Sequence, residues 1–249
     1  MKIYDDEYQL YSQIYPLFYS EHVDRNFFDR VWQPTWKNIM EVGVGQGRLI
    51  PHFLSYDIEH FVGLDISEAM LEKIPTAYLE NPRCHCLHHD FLEFESPRKF
   101  DLITYTYNTF NYMLTLEDAH RHLTHCRNLL SKDGVVYFDM TFPPCLRNGT
   151  TSQTKSHVQE GGRQYQLKTQ HSYDIKGNLE HRLFTCNIID DGRPVQELEW
   201  GSYRRYYTVE DMISIGRALG FAPVHLEMYL AEDSTYYDGY FLLLKQNPF

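Results

Sequence analysis

Basic residues are scarce in this chain: 23 lysines and arginines stand against 34 aspartates and glutamates, a formal net charge of -11. That balance argues against a nucleic-acid substrate, because phosphate recognition calls for a basic stripe. Cysteines are also few. There are five in 249 residues, at Cys84, Cys86, Cys126, Cys145 and Cys186. A small, odd number argues against a disulfide framework and predicts reduced thiols in the cytoplasm. No apolar run approaches the roughly 18 residues of a membrane helix, so no membrane association is expected. The opening stretch MKIYDDEYQLYSQ is polar and acidic, unlike a secretory signal. What the chain has in abundance is tyrosine, with 20 residues. Tyrosine joins a flat apolar body to a hydroxyl tip, which suits a pocket for a polar or cationic small molecule; for most of the 20 the role is ordinary half-buried packing.

Strand and helix patterns alternate through the first 140 residues. Residues 5–32 read as one or two helices, with Tyr8, Tyr11, Ile14 and Tyr15 at helical spacing before Pro16 interrupts. Phe61–Asp65, Cys84–Leu87, Phe100–Tyr105 and Val135–Met140 read as strands. Helices are expected over Arg48–Ser55, from Ser67 to about Tyr78, and over Leu116–Leu130, with a turn at Lys132-Asp133-Gly134. Such alternation predicts an α/β fold with a doubly wound parallel sheet. From Gln164 to Tyr207 the pattern changes to three long alternating stretches. Turns fall at Lys176-Gly177-Asn178 and Asp190-Asp191-Gly192, the signature of an antiparallel β-meander inserted into the α/β domain. Thr208 and Asp211 form a capping-box pattern ahead of a helix, and two last strands close the sheet.

Residues Ile39–Leu49 read I-M-E-V-G-V-G-Q-G-R-L. An apolar run meets Glu41, and Gly43, Gly45 and Gly47 follow at every second position. A strand that ends in a glycine turn before a helix makes a nucleotide-binding loop. A dinucleotide loop would carry its third glycine where Arg48 stands, so this spacing suits a different ligand.

At this point the chain resembles the class I S-adenosylmethionine (SAM) dependent methyltransferases, whose first motif is E/D-x-G-x-G-x-G. The resemblance covers about Tyr11–Met140 plus the last two strands. It implies a Rossmann-like seven-stranded mixed sheet, SAM as methyl donor with S-adenosylhomocysteine as product, and no metal. It also implies roles for residues. The glycines admit the methionine part of SAM against bare backbone while Glu41 faces a cationic ligand. Asp65 binds the ribose hydroxyls, since a carboxylate can accept two hydrogen bonds at once. Ile66 and Met70 pack on the adenine, and Asp90, followed by Phe91, meets its amino group. Tyr105, Thr106, Tyr107 and Asn108 lie beneath the transferred methyl. Tyr11, Tyr19 and Arg48 complete the expected cofactor contacts. Tyr15, Tyr107, Asn108, Asn111, Tyr173, Tyr203 and Arg205 are expected at the acceptor, with Tyr107, Tyr112 and His171 as catalytic candidates. Arg204 or Arg205 could bind a carboxylate or phosphate, since a guanidinium pairs with either in bidentate fashion.

Three segments are therefore expected: a helical lid over 1–35, a SAM-binding domain over 36–145 and 208–249, and a substrate-covering insert over 146–207. The meander resembles the inserts of amino-sugar and of glycine or sarcosine N-methyltransferases. That supports methyl transfer to N or O of a small metabolite, with a homodimer through the inserted strands. A nicotinamide-dependent oxidoreductase and a non-catalytic SAM-fold binding protein stand as alternatives. The thiols and imidazoles at Cys84, His85, Cys86, His88 and His89 are good zinc ligands, but strand alternation sends them to opposite faces.

Overall fold

The computed structural model describes residues 4–18, 23–142, 149–158, 162–230 and 237–247. Tyr19 lies outside them. The chain divides into two compact units: His22–Phe142 with Tyr207–Phe249, and Met1–Glu21 with Pro143–Tyr206. The 1–35 segment, expected as one lid, is shared between them. Its helices are α1 (Tyr4–Phe18) in the smaller unit and α2 (Val23–Val31) in the larger. Pro16 does not end α1, which runs two residues further. A proline this close to a helix C-terminus removes only one late hydrogen bond.

The larger unit is built on β1 (Asn38–Val42), β2 (His60–Asp65), β3 (Cys84–His88), β4 (Phe100–Tyr105), β5 (Leu130–Thr141), and two strands from the end of the chain, β10 (Phe221–Leu230) and β11 (Tyr237–Gln246). Their order is β10-β11-β5-β4-β1-β2-β3, and only the pairs made by β11 are antiparallel. The mixed seven-stranded sheet is the one expected. The central strands are apolar at consecutive positions because both faces are covered. Met40, Ile103 and Phe138 face a cluster that includes Leu123 and Cys126 of α6 (Leu116–Leu129) and Met212 of α7 (Val209–Ala218). Ile39, Leu102 and Tyr137 face the opposite cluster, with Phe27 and Phe28 of α2 and Phe53 of α3 (Ile50–Ser55).

Three local expectations change. The helix expected from Ser67 to Tyr78 is broken into α4 (Glu68–Leu71) and α5 (Thr76–Leu79), with Pro75 between them. Helix α3 starts at Ile50, because Gly47 and Arg48 are spent in turns. Lys132-Asp133-Gly134 falls inside β5 as a bulge: Phe100 pairs with Leu130 but Leu102 with Val135, so the chain leaves the β4 ladder where a turn was expected. Gly134 lets that strand pass the Phe100 carbonyl, which a Cβ would approach to 2.8 Å. The capping box at Thr208 and Asp211 is present.

The smaller unit holds a four-stranded antiparallel sheet, β6-β7-β8-β9, where three strands were expected. The additional strand is β6 (Gly149–Val158), an edge strand of T-T-S-Q-T-K-S-H character whose side chains from Thr150 to Ser156 are exposed. With neither face buried it carries no period-2 apolar signal. The two expected turns are where the sequence placed them. Asp191 and Gly192 both have positive φ, as a two-residue hairpin of primed type requires. β7 (Gln164–Asp174), β8 (Leu179–Asp190) and β9 (Arg193–Arg205) present Leu167, Phe184, Cys186, Leu198 and Trp200 to Ile14 of α1.

Candidate active site

The glycine loop joins β1 to α3. Gly43, Gly45 and Gly47 have φ of +75, +56 and +73°, a region that L side chains seldom adopt. Space adds a second constraint at two of them. A Cβ on Gly43 would lie 2.5 Å from Thr109 Cγ2, and one on Gly47 would lie 2.5 Å from Ile50 Cδ1. Gly47→Ala is therefore expected to destabilise the protein by about 1–3 kcal/mol through left-handed strain and overpacking. Thermal unfolding measures this directly, and an unchanged midpoint would show that the loop tolerates another backbone path.

Asp65, at the end of β2, braces this loop. Its Oδ2 accepts from the Gly45 amide at 2.7 Å and its Oδ1 from the Ser67 amide at 2.9 Å. Burial pushes its carboxyl above the usual range, and these amides oppose the shift. A carboxylate has about four acceptor positions. The Ile66 amide also bonds to it, so three amides leave about one position, suited to a hydroxyl. The next residue, Ile66, is 42% exposed, an apolar side chain left uncovered beside this acid. Met70 is buried and its Cε lies 3.3 Å from where a Gly45 Cβ would stand. Asp90 caps the short turn at Phe91–Glu93 through Oδ1, which accepts from the Leu92 amide.

Several expected contacts are instead structural. Phe91 and Tyr105 are buried in the α6-side core, their rings edge to face at 5.9 Å. The Tyr105 hydroxyl meets His122 Nδ1 at 3.1 Å and Cys126 Sγ at 3.5 Å. Burial pushes His122 down to about 4, so it stays neutral there. β4 sends alternate residues to opposite faces, and Tyr105 falls on the face that α6 covers. Glu41 is only 2% exposed, and its Oε1 accepts from the Thr106 hydroxyl at 2.7 Å. Through Oε1 it ties the end of β1 to the end of β4. Asn111 is fully buried in the 3-10 turn at Thr109–Tyr112, so it meets no acceptor without movement.

The chain after β4 is strained. Tyr107 and Asn108 have φ of 50 and 65°, two successive left-handed residues that are not glycine. Each costs of order 1–3 kcal/mol, and such outliers cluster at functional sites. Tyr107 is 36% exposed, and the Arg48 guanidinium lies over its ring, 5.0 Å from the centroid. Tyr112 is partly exposed at the end of the same turn.

In the smaller unit, strand alternation separates residues that were expected together. His171 and Tyr173 of β7 share a face with Glu180 and Arg182 of β8 and with Arg204 of β9. Tyr203 and Arg205 point to the opposite face, where Tyr203 stacks on His181. Arg205 donates to the Gly177 carbonyl at 3.1 Å. The centre of the first face is Glu180, which is fully buried. It accepts from Arg204 at 2.7 Å, from the Tyr206 hydroxyl at 2.8 Å and from His171 Nδ1 at 2.7 Å. Burial alone raises its carboxyl, but the His171 bond with the Arg204 and Arg182 charges outweighs this and holds it at about 2. Tyr173 is buried and donates to Asn178 at 3.2 Å. On α1, Tyr11 packs against Tyr15, Phe184 and Trp200 of the same unit. The Glu180 cluster was missed in the sequence, although its signal was available: the even-numbered positions of the last two meander strands.

The donor set of the larger unit fits SAM. Asp65 keeps an acceptor position that a ribose hydroxyl would fit, Ile66 is an exposed apolar side chain that an adenine would cover, and the glycine loop would admit a ligand against backbone. Among the described residues no cluster of three or more metal-ligating side chains occurs. Residues 39–134 match the family model described as a methyltransferase domain, not a nicotinamide-binding one. No curated protein matches the sequence. Solved structures similar to this one include a SAM-bound amino pentose methyltransferase from Micromonospora echinaspora, involved in calicheamicin biosynthesis. It is 19% identical, with 96% of this chain and 97% of that chain covered and a TM-score of 0.77. DesVI of Streptomyces venezuelae is 20% identical, with 98% and 97% covered and a TM-score of 0.73. The sugar N-methyltransferase KedS8 from Streptoalloteichus sp ATCC 53650 is 16% identical, with 96% and 93% covered and a TM-score of 0.72. At such identities the likeness establishes the fold, and the domain match over the glycine loop and Asp65 supplies the chemistry. Residues 39–134 therefore carry a methyltransferase domain, and the chain as a whole shares the fold of SAM-dependent methyltransferases.

Proposed function

We propose that this enzyme methylates an amino nitrogen on a small acceptor of the amino-sugar class, the N side of the N-or-O alternative. The observation that carries the reading is the four-stranded antiparallel insert between β5 and α7. It is part of an architecture shared along almost the whole chain with an amino pentose methyltransferase and a sugar N-methyltransferase. SAM, when bound, supplies a methyl group already activated on a sulfonium, so the protein's task is mainly alignment. Asp65 holds the ribose, Ile66 and Met70 flank the adenine, and Asp90 meets its amino group. Tyr107, Asn108 and Tyr112 are the acceptor-facing groups we assign. The attacking amine must be neutral before it can displace the sulfonium. Within the smaller unit, Glu180 accepts from the His171 Nδ1–H, which leaves Nε2 as an acceptor. Tyr11, Tyr15, Tyr173, Tyr203 and Arg205 carry no assigned contact in this reading.

The test is a screen of amino sugars and their hydroxyl analogues with SAM, read by S-adenosylhomocysteine release and mass increase. Turnover should appear with amines and be absent with the matched alcohols. Its rate should rise with pH until the amine is neutral. Turnover confined to the alcohols would reverse the assignment. No described helix is long and apolar enough to cross a membrane. We further propose cytoplasmic operation, in keeping with the free thiols at Cys84, Cys86, Cys126 and Cys186, and a homodimer through the inserted strands, which sedimentation would check.

A further inference from the structure

The strained turn after β4 is held from several sides, and two of the holds come from the cofactor loop. Thr109 donates its hydroxyl to the Thr106 carbonyl at 2.8 Å, while its methyl fills the space that Gly43 leaves by lacking a Cβ. Arg48, the residue that follows the third loop glycine, lies over the Tyr107 ring. Thr106 is anchored to Glu41 just before the loop. Between these anchors Asn108 Oδ1 is buried and has no hydrogen-bond partner among the described residues. Buried polar groups are rarely left so, and an orphan beside a strained backbone marks a segment set for a purpose other than stability.

We propose that Arg48 is a positioning residue rather than a cofactor contact. It clamps the Tyr107 ring and so couples the order of the glycine loop to the Tyr107–Asn108 turn. Cofactor binding then stiffens the acceptor side of the site before an acceptor arrives. A guanidinium over a tyrosine face is a directional attraction that a partly exposed pair can gain or lose as the loop tightens. The proposal rests on the methyltransferase reading, because it takes the glycine loop as the donor site.

Hydrogen exchange with S-adenosylhomocysteine as the probe tests it, followed over peptides covering residues 104–113, alongside calorimetry. In the wild type the probe should slow exchange of that segment by at least about fivefold. Arg48→Met should bind the probe within about threefold of the wild type yet lose the protection. Tyr107→Leu should behave likewise, which tests the clamp from its other side should Arg48→Met fold poorly. Tyr107→Phe, which keeps the ring, and Arg48→Lys, which keeps a cation, should retain most of it. A loss of affinity beyond about tenfold in Arg48→Met would make Arg48 a cofactor contact and overturn the proposal. Protection that persists in both Arg48→Met and Tyr107→Leu would overturn it as well, as would a wild-type segment that the bound probe leaves unprotected. A wild type that does not bind the probe at all would instead remove the methyltransferase reading beneath it.

Discussion

Asp65→Ala should weaken SAM binding by about a hundredfold or more, with little loss of fold stability. On the proposed reading the affinity loss is that of charge-assisted hydrogen bonding to the ribose, each such bond worth roughly 1.5–3 kcal/mol, together with the loop order that Asp65 supplies. The stability expectation comes from the site itself. Burial raises the Asp65 carboxyl, so in the free protein its ionised form is held at a cost. A group raised on folding contributes stability below its unfolded pKa of 3.8 and loses it as pH rises through the folded value. Removing the carboxylate at neutral pH therefore removes a cost, offset by the lost bonds to Gly45 and Ser67. The same linkage gives SAM binding a pH dependence. Hydroxyl donors favour the ionised carboxylate, so binding releases a proton near the Asp65 pKa, and affinity should climb with pH through that range. Calorimetry across a pH series measures both effects. An Asp65→Ala affinity within threefold of the wild type would remove Asp65 from the site.

Glu180→Gln should cost the smaller unit about 3–5 kcal/mol, the usual penalty for leaving buried charge unmatched. Glu180 has no exposed surface, while the side chains of Arg204 and Arg182 are only 13% and 12% exposed. Without the carboxylate, both guanidinium groups keep their charge in a poorly solvated place. The wild-type contribution has a sign that can be followed. The Glu180 pKa falls from 4.5 to about 2 on folding, so its stabilisation is present above 4.5 and is lost as pH falls through about 2. Acid unfolding of the variant should lack that loss between the two values. A melting midpoint within a degree of the wild type would show the cluster to be solvated and replaceable.

Much of the larger unit was legible because its local and global signals agree. The central strands are short apolar runs between glycine or acidic turns, and a strand of that kind has few alternatives once helices alternate with it. Asp65 and the loop glycines were legible for the same reason: positive φ and a strand-end acid leave marks in the residue types themselves. The smaller unit was read with one strand too few, since the exposed edge strand β6 buries nothing that would order its sequence.

What the sequence determined by itself was the proposed donor site: glycines where the backbone needs left-handed angles, and an acid where a strand ends. Those are requirements of single residues, written position by position. Which side chains face which way was decided only by tertiary structure. Tyr105 and Phe91 turn into the core under α6, Glu41 closes on Thr106, and Arg204 rather than Arg205 joins His171 at Glu180. A one-residue shift in strand phase exchanges faces, and that phase is set by partners distant in the chain. The Tyr107–Asn108 turn belongs to the same category, because asparagine tolerates a left-handed backbone but nothing in the tyrosine announces one.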